Sequence, residues 1–117
     1  MSLGARRRTV RRDGGWRDVL ADRTIGPIID THTHCWQGPL KGLGAGMWGM
    51  ADYIQHIFPL REKYTPADMH DAAFATGVEM LDHGITTVLD FCHNVMSPAH
   101  ADESLRAHRR TGQRVLF

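Results

Sequence analysis

The sequence predicts an α/β fold made of successive strand–helix units, and three observations carry that prediction. Short apolar runs at residues 28–29, 85–89 and 113–117 have the composition and length of buried strands. Two helix-start signals, Thr65-Pro66-Ala67-Asp68 and Ser97-Pro98, open the longer segments between those runs. The resulting order is strand, helix, strand, helix, strand, with connections too long for hairpins, so the strands are expected to run parallel.

The elements follow in chain order. Residues 1–23 hold Arg6, Arg7, Arg8, Arg11, Arg12, Arg17 and Arg23 against Asp13, Asp18 and Asp22, which leaves seven basic and ten acidic residues for the remainder. This stretch is expected to be a disordered basic arm, with at most residues 16–21 as the vestige of a preceding β domain. Gly26-Pro27 is a turn signal. Ile28-Ile29 then leads directly into Asp30-Thr31-His32-Thr33-His34, where the strand leaves the core. Five glycines between residues 38 and 49 suit a loop covering a pocket better than a helix. A helix is expected from residue 51 toward 63, ended or kinked at Pro59 by the missing N–H and the ring.

After the threonine cap and first-turn proline, Met69, Ala73, Met80 and Leu81, with Phe74 and Val78, form an apolar stripe at helical spacing and are core candidates. Gly84 ends that helix, and residues 85–89 read as a strand buried on both faces. Residues 101–110 form the next helix before Gly112 stops it. His56, His70, His83, His100 and His108 fall on these helices or their ends and are read as solvated or packing residues.

Function concentrates at the strand ends. Residues i and i+2 of a strand project from the same face, so His32 and His34 point together. Neutral imidazoles are the commonest protein ligands of transition metals, and the carboxyl end of a buried strand is where α/β proteins build their sites. The pair reads as half of a metal site.

These residues also carry a family likeness. Residues 26–34 resemble the Pro-Gly-(apolar)-(apolar)-Asp-x-His-x-His signature of the amidohydrolase superfamily, although this chain has Gly26-Pro27 in the reverse order. The resemblance continues through Trp36-Gln37, Gly84-Ile85-Thr86-Thr87-Val88-Leu89-Asp90, His93-Asn94 and residues 111–117, and is closest to the branch of cytosine-deaminase-like and chlorohydrolase-like enzymes. It covers residues 24–117, which are taken as one unit.

The resemblance implies an incomplete (β/α)8 TIM-type barrel, because a full one needs about 250 residues and this chain has 117. The chain would supply the first two to three strand–helix units, and truncation is the expected account of its length. It also implies a metal-dependent hydrolase acting on carbon–nitrogen bonds, with His32 and His34 as ligands of a divalent ion, zinc first and iron second. The remaining ligands and the general acid/base are expected downstream, so the isolated chain is expected to be inactive. The substrate would be a small molecule of the nitrogen-heterocycle type. Trp36, Gln37, His93 and Asn94 are candidates for the substrate pocket, with ordinary loop packing as the alternative. Asp30 and Asp90 are candidates for holding ligands from behind; Asp30 is equally suited to capping the strand end.

Composition bounds the other readings. No apolar run approaches the ~18 residues of a membrane helix, so no membrane is expected. Cys35 and Cys92 are too few for a disulfide framework, and the expected setting is cytoplasmic and reduced. A structural zinc site from Cys35, Cys92 and the nearby histidines lacks the usual tight ligand spacing. The arginine arm permits a nucleic-acid-binding module as an alternative, though Trp16 alone supplies aromatic interleaving. A non-catalytic remnant is the other alternative. Three strands leave open edges, so homo-oligomers or aggregation through the sheet edge are expected partners of that state.

Overall fold

A computed structural model describes residues 27–46 and 49–117 fully and the backbone of residues 9–12 and 15–18. Strands β1 (Thr9–Arg12) and β2 (Gly15–Asp18) pair antiparallel, with Arg12 opposite Gly15. The basic arm was expected to be disordered; these eight residues form two paired strands. The rest of the expected arm lies outside the described residues.

The second sheet is parallel throughout, in the order β3 (Ile28–Thr33), β4 (Ile85–Asp90), β5 (Arg114–Leu116). Between β3 and β4 come a 3-10 helix at Cys35–Leu40, α1 (Met50–His56), a second 3-10 helix at Phe58–Lys63 and α2 (Pro66–Asp82). Helix α3 (Pro98–Thr111) links β4 to β5 and packs along α2. This is mixed α/β architecture with a small three-stranded parallel sheet, a partial version of the expected fold.

Local chemistry explains the boundaries. α1 ends at His56, three residues before Pro59, and the chain passes into a 3-10 helix that contains that proline. At the start of α2 the Thr65 hydroxyl accepts the Asp68 N–H at 3.2 Å, while the Asp68 carboxylate accepts the Thr65 N–H at 2.8 Å. Gly84 and Gly112 close α2 and α3 at φ of 82° and 75°, the left-handed region that a side chain disfavours. Ser97 departs from its expected capping role. Its hydroxyl donates to His100 Nδ1 at 2.8 Å, because His100 Nε2–H is committed to the Tyr64 carbonyl at 3.0 Å.

The core lies between the helices and one side of the sheet. Trp36, Ile57 and Met69 form one buried cluster, and Cys35, Ala73 and Ala107 another. Of the predicted apolar stripe, Met69 and Ala73 are buried, Met80, Leu81 and Phe74 are half-buried, and Val78 is exposed. Ile29, Phe91 and Leu116 are 63%, 56% and 58% exposed, so the sheet is not buried on both faces as the apolar runs suggested.

The glycine-rich segment also differs from a plain loop at its start, since residues 35–40 are helical. Gly38 sits there for steric reasons: a Cβ at this position would lie 1.8 Å from Thr76 Oγ1 on α2. The Thr76 hydroxyl donates to the Cys35 carbonyl at 2.9 Å, which draws the 3-10 helix onto α2.

Candidate functional site

Strand β3 delivers the two histidines through an irregular register. Asp30 pairs with Val88 and Thr33 with Asp90, so Thr31 and His32 share the span of one β4 residue. Such bulges bend a strand and re-aim its side chains. The rings of His32 and His34 nonetheless lie together, centroids 5.0 Å apart and edge to face. Phe91, at the end of β4, stacks on His32 at 5.1 Å.

His34 has the tautomer a metal ligand needs. Its Nδ1 lies 2.6 Å from the Phe91 carbonyl oxygen. A carbonyl can only accept, so neutral His34 carries its proton on Nδ1 and leaves the Nε2 lone pair free. A backbone carbonyl behind a ligating imidazole is the usual device for fixing that tautomer. The donor set therefore fits a divalent cation.

Asp30 turns its carboxylate to the backbone. Its Oδ1 accepts the His32 N–H at 2.9 Å, the strand-capping arrangement rather than a contact with an imidazole. Asp90, 3% exposed, accepts the Cys35 N–H at 3.1 Å on one oxygen and His108 Nε2–H at 2.9 Å on the other. It thus ties the residue after His34 to β4 and α3. His108 was read from the sequence only as a packing residue; its pairing with Asp90 depends on the phase of α3, which no local signal reveals.

Of the pocket candidates, Gln37 and His93 join one polar chain. Gln37 Nε2–H donates to Tyr53 Oη at 2.6 Å, Tyr53 Oη lies 3.0 Å from His93 Nε2, and His93 Nδ1 lies 3.2 Å from His34 Nδ1. Burial, reinforced by His34, holds His93 below the usual imidazole range. Trp36 and Asn94 are buried behind that chain, with the Trp36 ring edge-on to His93 at 5.4 Å. Trp36 is 1% exposed inside the apolar cluster, edge-on to Tyr64 at 5.1 Å, and Asn94 is fully buried with its amide on Met69 Sδ at 3.2 Å. Tyr53 is the residue that sequence reasoning missed. It sits in α1 beyond the glycine-rich segment and carries no motif.

An open cleft of about 520 Å³ runs between β3 and α2. His32, His34, Gln37, Lys41, Glu79 and His83 are among the residues that line it. Lys41 and Glu79 form an ion pair, and the Lys41 ammonium holds the Glu79 carboxyl below its usual range.

Among the described residues, one trio of metal-capable side chains converges, Cys35, Asp90 and His108, with donor atoms within 4.8 Å of one another. Its chemistry is that of a closed hydrogen-bond cluster. Burial and the neighbouring Asp90 push the Cys35 thiol well up, away from the thiolate a metal requires. Both carboxylate oxygens are already engaged. Both cysteines are free thiols.

The geometry defines a protein with an α/β scaffold, an imidazole pair at a strand's carboxyl end and an adjoining cleft. Comparison with known proteins agrees with that class. The chain is similar to the 5-methylthioadenosine/S-adenosylhomocysteine deaminase of Thermococcus kodakarensis, 33% identical over 93 residues that make up 77% of this chain. The matched segment spans 22% of that deaminase's length. The likeness supports the amidohydrolase superfamily and nothing finer. No family model matches the chain. No solved structure matches it significantly. Among the described residues no helix is long and apolar enough to cross a membrane.

Proposed function

We propose that this chain carries the first metal-binding strand of a metal-dependent hydrolase that removes an amino or halide group from a nitrogen heterocycle. The observation that carries the reading is the His34 Nδ1–H to Phe91 carbonyl bond, which leaves a lone pair on Nε2 beside His32 at the mouth of the cleft. His32 and His34 would hold a divalent ion, zinc first and iron second. Such an ion, when bound, supplies Lewis acidity that makes hydroxide available near neutral pH.

The chain's own residues prepare that chemistry. Asp30 fixes the backbone at His32, and Asp90 anchors the backbone just after His34, so both imidazoles are held at their main-chain roots. Gln37 and Lys41 line the cleft with donors suited to the ring nitrogens and exocyclic groups of a heterocycle. The related deaminase acts on adenosine derivatives, in keeping with a heterocyclic amine as substrate. A reducing, cytoplasmic setting belongs to the same reading, and both free thiols are in keeping with it.

The test is elemental analysis of the purified chain after equilibration with zinc, beside the His32→Ala/His34→Ala double variant, with ammonia release from aminopurines and aminopyrimidines followed in polypeptides that carry this sequence. Zinc in the parent and none in the folded double variant is the expected result. Equal zinc in both refutes the ligand assignment.

A further inference from the structure

Arg61, in the second 3-10 helix, is a half-buried cation with no anion beside it. Its guanidinium lies over the Phe58 ring at 4.6 Å. Nη2–H points to the Met96 thioether at 3.5 Å, a weak acceptor, and Nε–H is buried with no partner. Among the described residues no carboxylate comes within ion-pair distance of it. Arg109 and Arg114 also lack a carboxylate, but both are exposed and water hydrates them. A guanidinium keeps its charge at any physiological pH, so partial withdrawal from water without a counter-ion leaves it suited to accept an anion.

Its surroundings say where that anion would belong. Phe58, which carries the guanidinium, also stacks against His93 at 5.5 Å and 26°, and His93 meets His34 edge-on at 4.3 Å. Two rings therefore separate the cation from the imidazole pair. At Cys92, where burial pushes the thiol up, the Arg61 charge acts in the opposite direction, so it is felt just past the end of β4. Met96, its other neighbour, belongs to the same segment after β4 and is 51% exposed. The guanidinium thus stands at the carboxyl end of the sheet, with the imidazoles and with a side open to solvent.

We propose that Arg61 is a specificity-determining residue that selects heterocycles bearing an anionic oxygen group, a carboxylate or a phosphate. The anion sits on the guanidinium while the ring reaches the imidazole pair. The inference rests on the reading of that pair as the reactive centre, and adds the kind of substituent the substrate carries. Carboxylate and phosphate oxygens match the guanidinium fork two at a time, with stronger bonds than a thioether can accept. Phe58 beneath the guanidinium holds its plane for that contact.

The experiment is calorimetric titration of the zinc-equilibrated full chain with matched probes: 6-aminonicotinate beside neutral 6-aminonicotinamide, and adenosine monophosphate beside adenosine. The expected result is that the anionic member of at least one pair binds about 10- to 100-fold more tightly, the range for a charge-assisted contact. The pair that shows the preference distinguishes carboxylate from phosphate. Arg61→Gln is expected to weaken the anionic probe to the level of its neutral partner and leave the neutral probe as it was, which also reports that the variant is folded. Arg61→Lys, which keeps the charge and loses the fork, is expected to retain part of the preference. Equal binding within both pairs, no binding of any probe, or a preference undiminished in Arg61→Gln overturns the proposal. A chain that holds no zinc yet shows the Arg61-dependent preference refutes the metal reading and upholds the anion contact.

Discussion

Removing the Asp90 carboxylate should be among the most damaging single changes in this chain. The Asp90 and His108 side chains are 1% and 2% exposed, so no bulk water can replace what the carboxylate supplies. Asp90→Ala strands two buried donors, the Cys35 N–H and His108 Nε2–H. At about 1–3 kcal/mol for each unsatisfied buried group, the cost is about 2–6 kcal/mol, against a total of about 5–15 kcal/mol for a typical domain. Asp90→Asn keeps the shape and one acceptor oxygen, and His108 can answer the new amide by moving its proton to Nδ1. That atom is buried without a partner, so one donor is still orphaned and the cost falls to about 1–3 kcal/mol. The double variant Asp90→Ala/His108→Ala should cost less than the sum of the single changes, because it removes one of the stranded donors. Urea unfolding followed by circular dichroism measures all four chains, and each kcal/mol should move the thermal midpoint by about 4–8 °C. An Asp90→Ala chain within about 0.5 kcal/mol of the parent, the range of ordinary surface changes, would refute the buried-clamp argument.

Three further predictions follow from other parts of the fold. Gly38→Ala places a methyl 1.8 Å from Thr76 Oγ1 and should destabilise by about 1–3 kcal/mol in thermal melts, with partial recovery on adding Thr76→Ala; an unchanged midpoint would refute it. The hydroxyl and N–H of Thr65 hold the Asp68 carboxyl below its usual range, so the cap's pH-dependent contribution is complete above about pH 4 and is lost as pH falls through the lowered value. Asp68→Ala should flatten that acid limb of the stability curve, and an identical limb would count against the cap. Burial pushes the Cys92 thiol up to about 11 from 9.0, leaving about a hundredfold less thiolate near neutral pH, so iodoacetamide should label the folded chain that much more slowly than the chain in urea. Equal labelling rates would contradict the burial argument.

What could be read from the sequence was whatever local chemistry decides. The Thr65-Pro66 start, the stops at Gly84 and Gly112 and the kink at Pro59 all depend on a few neighbouring residues, and each stands where the chain signals it. The proximity of His32 and His34 was legible for the same reason. Long-range pairings were not. Gly38 and Pro39 argue against helix, yet residues 35–40 are helical because Thr76 draws that turn onto α2. Tyr53 and His93 are separated by 40 residues, and only the folded chain brings them together. The β3 bulge likewise arises from pairing with β4 and leaves no mark in composition. In the basic arm the arginine-rich composition carried no sign of the pairing between residues 9–12 and 15–18.

The sequential strand order has a consequence for the cleft. With α2 and α3 packed side by side, every further unit of the same kind would add its strand beyond β5, and a ring of such units could close only against β3. The cleft that adjoins the imidazole pair takes its strand lining from β3 and from Ile85 at the start of β4, and none from β5, so it lies toward the β3 side of the sheet.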